Sequence, residues 1–373
     1  MLAFGVFGVF WGGWAAVLPD IKDTVGGSDA SFGFALLGIG LGSLPAMLVM
    51  GRVYDRYAER TIAPLLLLFA GSTVLPGLTS STLWLFVTLL SIGAFTGMLD
   101  VAINAAATAW EASTHRRLLN LAHASFSGFF LVASVSVGIA RRGEVGHMTI
   151  LVCLALVVAS AASFNRSPKV TFEKRERRPI FRFEPVFLML GALCGLGFVV
   201  EGGVEAWSAV HLERTLDAGP AVGGLGPGLF AAAMLTGRST AHLIGAHLSD
   251  QRVLAVGSSL AAVGLVLSAI APVVPLALAG FVLTGLGVSV VAPTMFGVAG
   301  RVAPDRERGT AIGTVTTVAY LGFLFGPPMV GLISGATTLR FGFVFLAAIV
   351  ATLAGLSVLV RNVAATRREA LPG

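Results

Sequence analysis

Asp100, Asn104 and Glu111 stand inside "GMLDVAINAAATAWE" (residues 97–111), a run otherwise built of apolar and small residues. At 100° per residue, Asp100 and Asn104 are one helical turn apart, and Glu111 follows three turns on with a drift of about 20°. Acid, amide and acid therefore share one stripe. An ionised Asp at the centre of a bilayer costs about 2.5–3.5 kcal/mol, so such a stripe requires a partner or a water-filled cavity. Asp100 is a protonatable acid and so a natural proton carrier; the alternative is a structural hydrogen bond to a neighbouring helix. Asn104 both donates and accepts, which suits a solute hydroxyl as well as interhelical bonding. Glu111 is expected to pair with Arg116 or Arg117 in "STHRR", as a gate or a structural ion pair.

Further polar stripes follow. Asn120, His123 and Ser127 recur at spacings of three and four residues, and His titrates near neutral pH. A role for His123 in coupling competes with plain packing. Glu201 and Glu205 are one turn apart, with Ser208 on the same side, and two acids on one apolar helix indicate a polar cavity; Glu205 could instead lie toward the outer surface, merely solvated. Trp11 and Trp14, one turn apart, are candidates for stacking on a ring-shaped solute or for anchoring at the membrane interface.

These residues need apolar helices to carry them. The chain of 373 residues is 55% hydrophobic and only 12% charged, with a mean hydropathy of +0.88; soluble domains carry about 25% charged residues. Disorder and soluble globular folds are both excluded. The 47 glycines are spread along the chain and suit close packing of membrane helices. Cys153 and Cys194 lie in apolar runs and read as inert thiols. Divided at charges and turns, the sequence predicts twelve crossings: 2–19, 31–50, 61–79, 83–110, 119–140, 147–165, 185–211, 221–244, 253–271, 274–299, 309–334 and 339–360. The opening run lacks a basic leader, so no cleavable signal is expected. Pro327 and Pro328 are expected to kink or break the eleventh span.

The basic segment "NRSPKVTFEKRERRPIFRFEP" divides the crossings six and six. The expected division is an N-terminal bundle over 1–165, a cytoplasmic central loop over 166–184, and a C-terminal bundle with a short tail over 185–373. With the N-terminus inside, the inner loops hold 20 of the 25 Lys and Arg residues, including Arg238, and the outer side keeps Lys22, Arg141, Arg142, Arg214 and Arg340. That asymmetry predicts cytoplasmic termini. The pI near 10 is therefore read as membrane orientation, with no nucleic acid as partner. The halves rhyme: "GRVYDRYAER" follows span two and "GAHLSDQRVL" follows span eight, with Asp55 and Asp250 195 residues apart. Such repeats mark transporters with a site between halves.

Six plus six spans, the basic centre and "GRVYDRYAER" together resemble the major facilitator superfamily, whose loop reads G-x-x-x-D-R-x-G-R-R/K. Gly51, Asp55, Arg56 and Arg60 match; Ala58 and Glu59 depart from it. The resemblance implies an all-α membrane fold of twelve helices in two pseudo-symmetric halves. It also implies a gating role for Asp55 and Arg56, with Asp250 and Arg252 as the second half's counterparts; solvation of a positive inner loop is the alternative. Residues 99–128, "LDVAINAAATAWEASTHRRLLNLAHASFSG", are similar to the fucose–proton symporter branch and its bacterial relatives at Asp100, Asn104, Asn120 and His123. That likeness implies sugar recognition or proton coupling at Asp100. In the first helix, Trp11, Gly12, Gly13 and Trp14 replace the branch's Asn and Asp residues, which argues against fucose itself. Span five lacks the GxxxGP of the superfamily's drug antiporters, and span four lacks their Arg.

The sequence contains no Gly-Lys phosphate loop, no nucleophile–His–acid set and no metal-ligand spacing, so no enzyme activity, cofactor or metal is expected. The expected function is secondary transport of a small polar solute, a sugar or related metabolite, across a bacterial inner membrane with protons as coupling ion and a monomer as working unit. Two alternatives stay open: a proton-coupled exporter of amphipathic compounds, and a transport-inactive sensor or scaffold.

Overall fold

The protein is described by a computed structural model covering residues 1–114, 119–164, 184–244, 248–304 and 307–369; within these ranges the side chains of 55, 59, 112–113, 119–120, 241–244 and 362–369 lie outside the description. The described chain folds into α-helices with two short 3-10 turns. The helices are α1 (Leu2–Val25), α2 (Asp29–Tyr57), α3 (Ile62–Val74), α4 (Thr82–Thr114), α5 (Leu119–Arg142), α6 (His147–Phe164), α7 (Pro185–Thr215), α8 (Pro220–Gly223), α9 (Leu225–Ile244), α10 (Asp250–Ile270), α11 (Val274–Val288), α12 (Val291–Val302), α13 (Arg308–Ala336) and α14 (Leu339–Glu369). Eleven helical stretches are long and apolar enough to cross a membrane, and Ile62–Leu78 is a shorter apolar one. The fold is the expected all-α membrane architecture.

The helices depart from the sequence reading in instructive places. α1 runs through Pro19 to Val25, so Asp20 and Lys22 are helical rather than loop residues. The tenth crossing is two helices, α11 and α12, joined at Ser289 and Val290. α13 passes unbroken through Pro327 and Pro328. Its neighbours hold it there: the Trp207 indole donates to the Pro327 carbonyl at 2.9 Å, and Gly322 and Gly326 lie against the backbone of α7.

Packing runs in two groups. In the first, α1 lies on α5 and α6, and α2 on α4; in the second, α7 lies on α13 and α14, and α10 on α11 and α14. Contacts between the groups come from α2 with α13, α5 with α8 and α9, and α1 with α7 and α9. Counting Ile62–Leu78 as a crossing with the other eleven makes twelve, an even number, which puts Met1 and the C-terminal end of α14 at one end of the bundle, the terminus end, with the far end opposite.

Small residues set these distances. A Cβ at Gly12 would lie 2.1 Å from the Phe130 carbonyl oxygen, a backbone atom that cannot rotate away. Gly12→Ala must therefore push α1 off α5. We expect a loss of about 1–3 kcal/mol in a thermal or denaturant melt in detergent, as for other overpacked interiors. Gly71→Ala, where nothing lies within 4 Å of the added carbon, is the control. Equal melting of the two variants would contradict this close approach.

Candidate functional site between the two helix groups

Span four carries its polar stripe as expected. Asn104 Nδ2 donates to the Asp100 side chain at 3.0 Å and to the Asp100 carbonyl at 2.9 Å. The second carboxylate oxygen of Asp100 accepts from the Tyr320 hydroxyl at 3.2 Å. Tyr320 lies on α13, so this bond joins the two helix groups. Tyr320 packs edge-on against Phe198 and Phe323, whose rings lie 4.5 Å apart. Sequence reasoning missed Tyr320; as one of only three tyrosines in the chain, in the middle of an apolar span, it left a usable signal.

Beside this bond lies a second charged set. Arg238 of α9 reaches Glu201 of α7 at 3.4 Å. Arg238 was assigned above to an inner loop; it is instead a helical residue facing another span. Its side chain keeps 34% of its surface exposed, and Glu201 keeps 12%. A guanidinium facing lipid would be costly, and the carboxylate beside it offsets part of that cost. Glu205, one turn on, is within electrostatic reach of both Glu201 and Arg238. Glu201 is in turn within electrostatic reach of Tyr320. Asp100, Tyr320, Glu201, Arg238 and Glu205 thus form one polar cluster fed from both groups.

The remaining candidates distribute differently. Ser208, expected on the Glu201 side, is fully buried, with its Cβ close to where a Cβ on Gly226 would lie. Trp14 is 3% exposed and stacked on Phe10, so it packs within the core of α1 in this conformation. Trp11 is partly buried, with its ring edge-on to Phe7 and Phe10, and packs with Phe126 beside the cluster of Ala15, Phe130 and Ala231. It therefore stands where α1, α5 and α9 meet. His123 is exposed, its ring 5.2 Å from that of Phe4 near the terminus end, within electrostatic reach of Arg238. The side chain of Asn120 lies outside the described residues.

The expected gates are likewise separated. Arg56 is exposed and lies over the Tyr57 ring at 5.4 Å; the side chain of Asp55 lies outside the described residues. Asp250, in the first turn of α10, pairs with Arg301 of α12 at 2.6 Å; the Arg252 side chain is exposed, and its backbone N–H donates to the Ser249 hydroxyl that caps α10. Glu111 is half-buried near the end of α4; Arg116 and Arg117 lie outside the described residues, as does the central loop except Glu184.

Two groups of helices with acids from each turned to the seam between them define a membrane carrier. A model described as Major Facilitator Superfamily matches residues 1–250 and 206–372. The chain belongs to the major facilitator superfamily. It is 30% identical to an uncharacterised MFS-type transporter of Yersinia pestis over 95% of this chain and 92% of that one. It is 26% identical to the membrane protein MosC of Rhizobium meliloti over 93% and 85%. Among solved structures, a bacterial homologue of the human lysosomal transporter Spinster, inward-facing and occupied, superposes with a TM-score of 0.80 at 15% identity, covering 97% of this chain and 95% of that one. A D-xylose–proton symporter superposes at 0.73 and 13% identity, covering 95% and 96%.

Proposed function

We propose that this major facilitator protein moves a small polar solute by alternating access, with proton coupling through Asp100 and Glu201. The observation that carries the reading is the Tyr320–Asp100 bond between the helix groups, beside the Glu201–Arg238 pair. A carboxyl bonded across the seam holds that bond more strongly when ionised than when protonated, because a charged acceptor makes the stronger hydrogen bond, so protonation and the relation of the two groups are linked. Asn104 and Arg238 supply donors for a polar solute, and Trp11 an apolar ring face. The D-xylose–proton symporter, which shares the fold, supports a solute-and-proton reading. The excess of Lys and Arg in the proposed inner loops supports cytoplasmic termini in a bacterial inner membrane, even with Arg238 removed from that count. We read 1–165 and 185–373 as the two moving bundles of a monomer, and Asp55, Arg56, Glu111, Arg116, Asp250 and Arg252 as conformational contacts at the terminus end.

The test is proton movement in proteoliposomes holding a pH-sensitive dye, challenged with a panel of neutral, acidic and basic polar solutes. At least one solute should drive protons in its own direction of travel. Opposite proton flux with amphipathic compounds would establish the exporter alternative. Absence of any solute-dependent flux, together with no exchange of labelled solute, would leave a sensor or scaffold and overturn the proposal.

A further inference from the structure

The far end of the seam holds a set of charges that the central cluster does not use. Arg141, near the end of α5, has a side chain only 2% exposed. It donates to both oxygens of Asp20, at 2.5 and 2.8 Å, to both oxygens of Glu213, at 2.6 and 2.9 Å, and to the Ala16 carbonyl at 2.7 Å. Asp20 and Ala16 belong to α1, in the same helix group as Arg141; Glu213 belongs to α7, in the other. Two more ties cross beside it. Asp29 of α2 takes Lys22 at 2.6 Å and also accepts from Ser334 of α13, and Arg214 of α7 pairs with Asp23 of α1. The backbone is shaped for this meeting. A Cβ at Gly223 would sit 2.0 Å from the Glu213 carboxylate, and Ser134 of α5 donates to the Gly224 carbonyl at 2.7 Å.

We infer that Arg141 is the latch that holds the far end shut, by pairing with Glu213 across the seam while resting on Asp20 within its own helix group. The asymmetry of its partners is the reason. A buried cation stripped of all partners would make opening prohibitive. Arg141 keeps Asp20 and the Ala16 carbonyl when the groups part, and Glu213 moves into water, so opening loses one ion pair without stranding a charge. The Lys22–Asp29 pair has the same design, with only the Ser334 bond crossing. The inference rests on the alternating-access reading, and its test separates the two.

Spin labels at G146C and G219C, both exposed glycines at the far end, report that end; labels at T114C and G309C report the terminus end. Both pairs are placed in full-length protein with Cys153 and Cys194 replaced by alanine, in liposomes, and read as distance distributions. The parent should be dominated by the short far-end distance. R141Q should convert most of that population to a longer distance, and E213Q should do so to a smaller extent; R141K should keep the parent distribution more nearly. At the terminus end the same variants should shift toward shorter distances. Parent-like far-end distances in both R141Q and E213Q would overturn the latch. Far-end opening with no change at the terminus end would keep the latch and overturn reciprocal motion. If R141Q is not recovered as monodisperse protein, E213Q carries the same decision, since it leaves Arg141 paired with Asp20.

Discussion

Asp100→Asn should abolish solute accumulation driven by a pH gradient while preserving solute exchange. With the membrane potential clamped, one proton per neutral solute converts a one-unit pH gradient, worth about 1.4 kcal/mol, into about tenfold accumulation. The variant should level near an inside-to-outside ratio of about one. An amide mimics the protonated carboxyl in shape and still accepts from Tyr320, so the Tyr320–Asp100 contact between α13 and α4 is kept in its neutral form throughout the cycle. Counterflow of labelled solute, which needs only reorientation, should persist. Tyr320→Phe provides the complement: Asp100 keeps Asn104 at 3.0 Å but loses its partner across the seam, so accumulation should fall only in part. Both are measured in proteoliposomes with a solute identified by its proton flux. Wild-type accumulation in Asp100→Asn would reduce the stripe to a solute contact or packing.

The second large effect is expected at Glu201 and Arg238. Glu201→Gln should cut transport to below about a tenth of wild type, which corresponds to at least ~1.4 kcal/mol in the limiting step. It also removes the charge partner of Arg238. Breaking a fully buried pair costs about 3–5 kcal/mol. Because Arg238 keeps 34% of its surface exposed, water replaces part of the lost interaction and the expected destabilisation is about 1–3 kcal/mol. The double variant Glu201→Gln with Arg238→Gln should recover part of that stability in a melt, because no guanidinium is left beside a missing carboxylate while Glu205 loses the cation within its reach, yet remain inactive. Recovery of transport along with stability would make the pair structural only. Glu205→Gln should be milder. If it proves the more damaging of the two acids, the solute site lies one turn further along α7.

Much of this was legible in the residues. Crossing number, the span carrying Asp100 and the alignment of Asn104 with it follow from local rules: apolar length sets a crossing, and the 100° helical step sets a face. A membrane protein is unusually readable in this way, since every backbone polar group in lipid must be satisfied within the helix. The same locality explains what the residues alone do not show. Trp11 and Trp14 are one turn apart and equivalent in sequence, but Trp14 is closed in by Phe10 while Trp11 stands where three helices meet. Pro327 and Pro328 carry a local instruction to break a helix that Trp207 and the glycine contacts of α13 outweigh.

By itself the sequence determined the all-helical class, the membrane medium, the apolar spans and the acids placed within them, because each depends on composition or on neighbours a few residues away. Only the tertiary structure decided which charges meet. Asp100 and Tyr320 are joined across 220 positions of chain, Arg238 and Glu201 across 37, and Arg141 reaches back 121 to Asp20 and forward 72 to Glu213. Such pairs depend on how helices are placed around the bundle. A cation near a helix end looks the same in sequence whether it faces water, as a loop residue would, or is buried between two carboxylates, as Arg141 is.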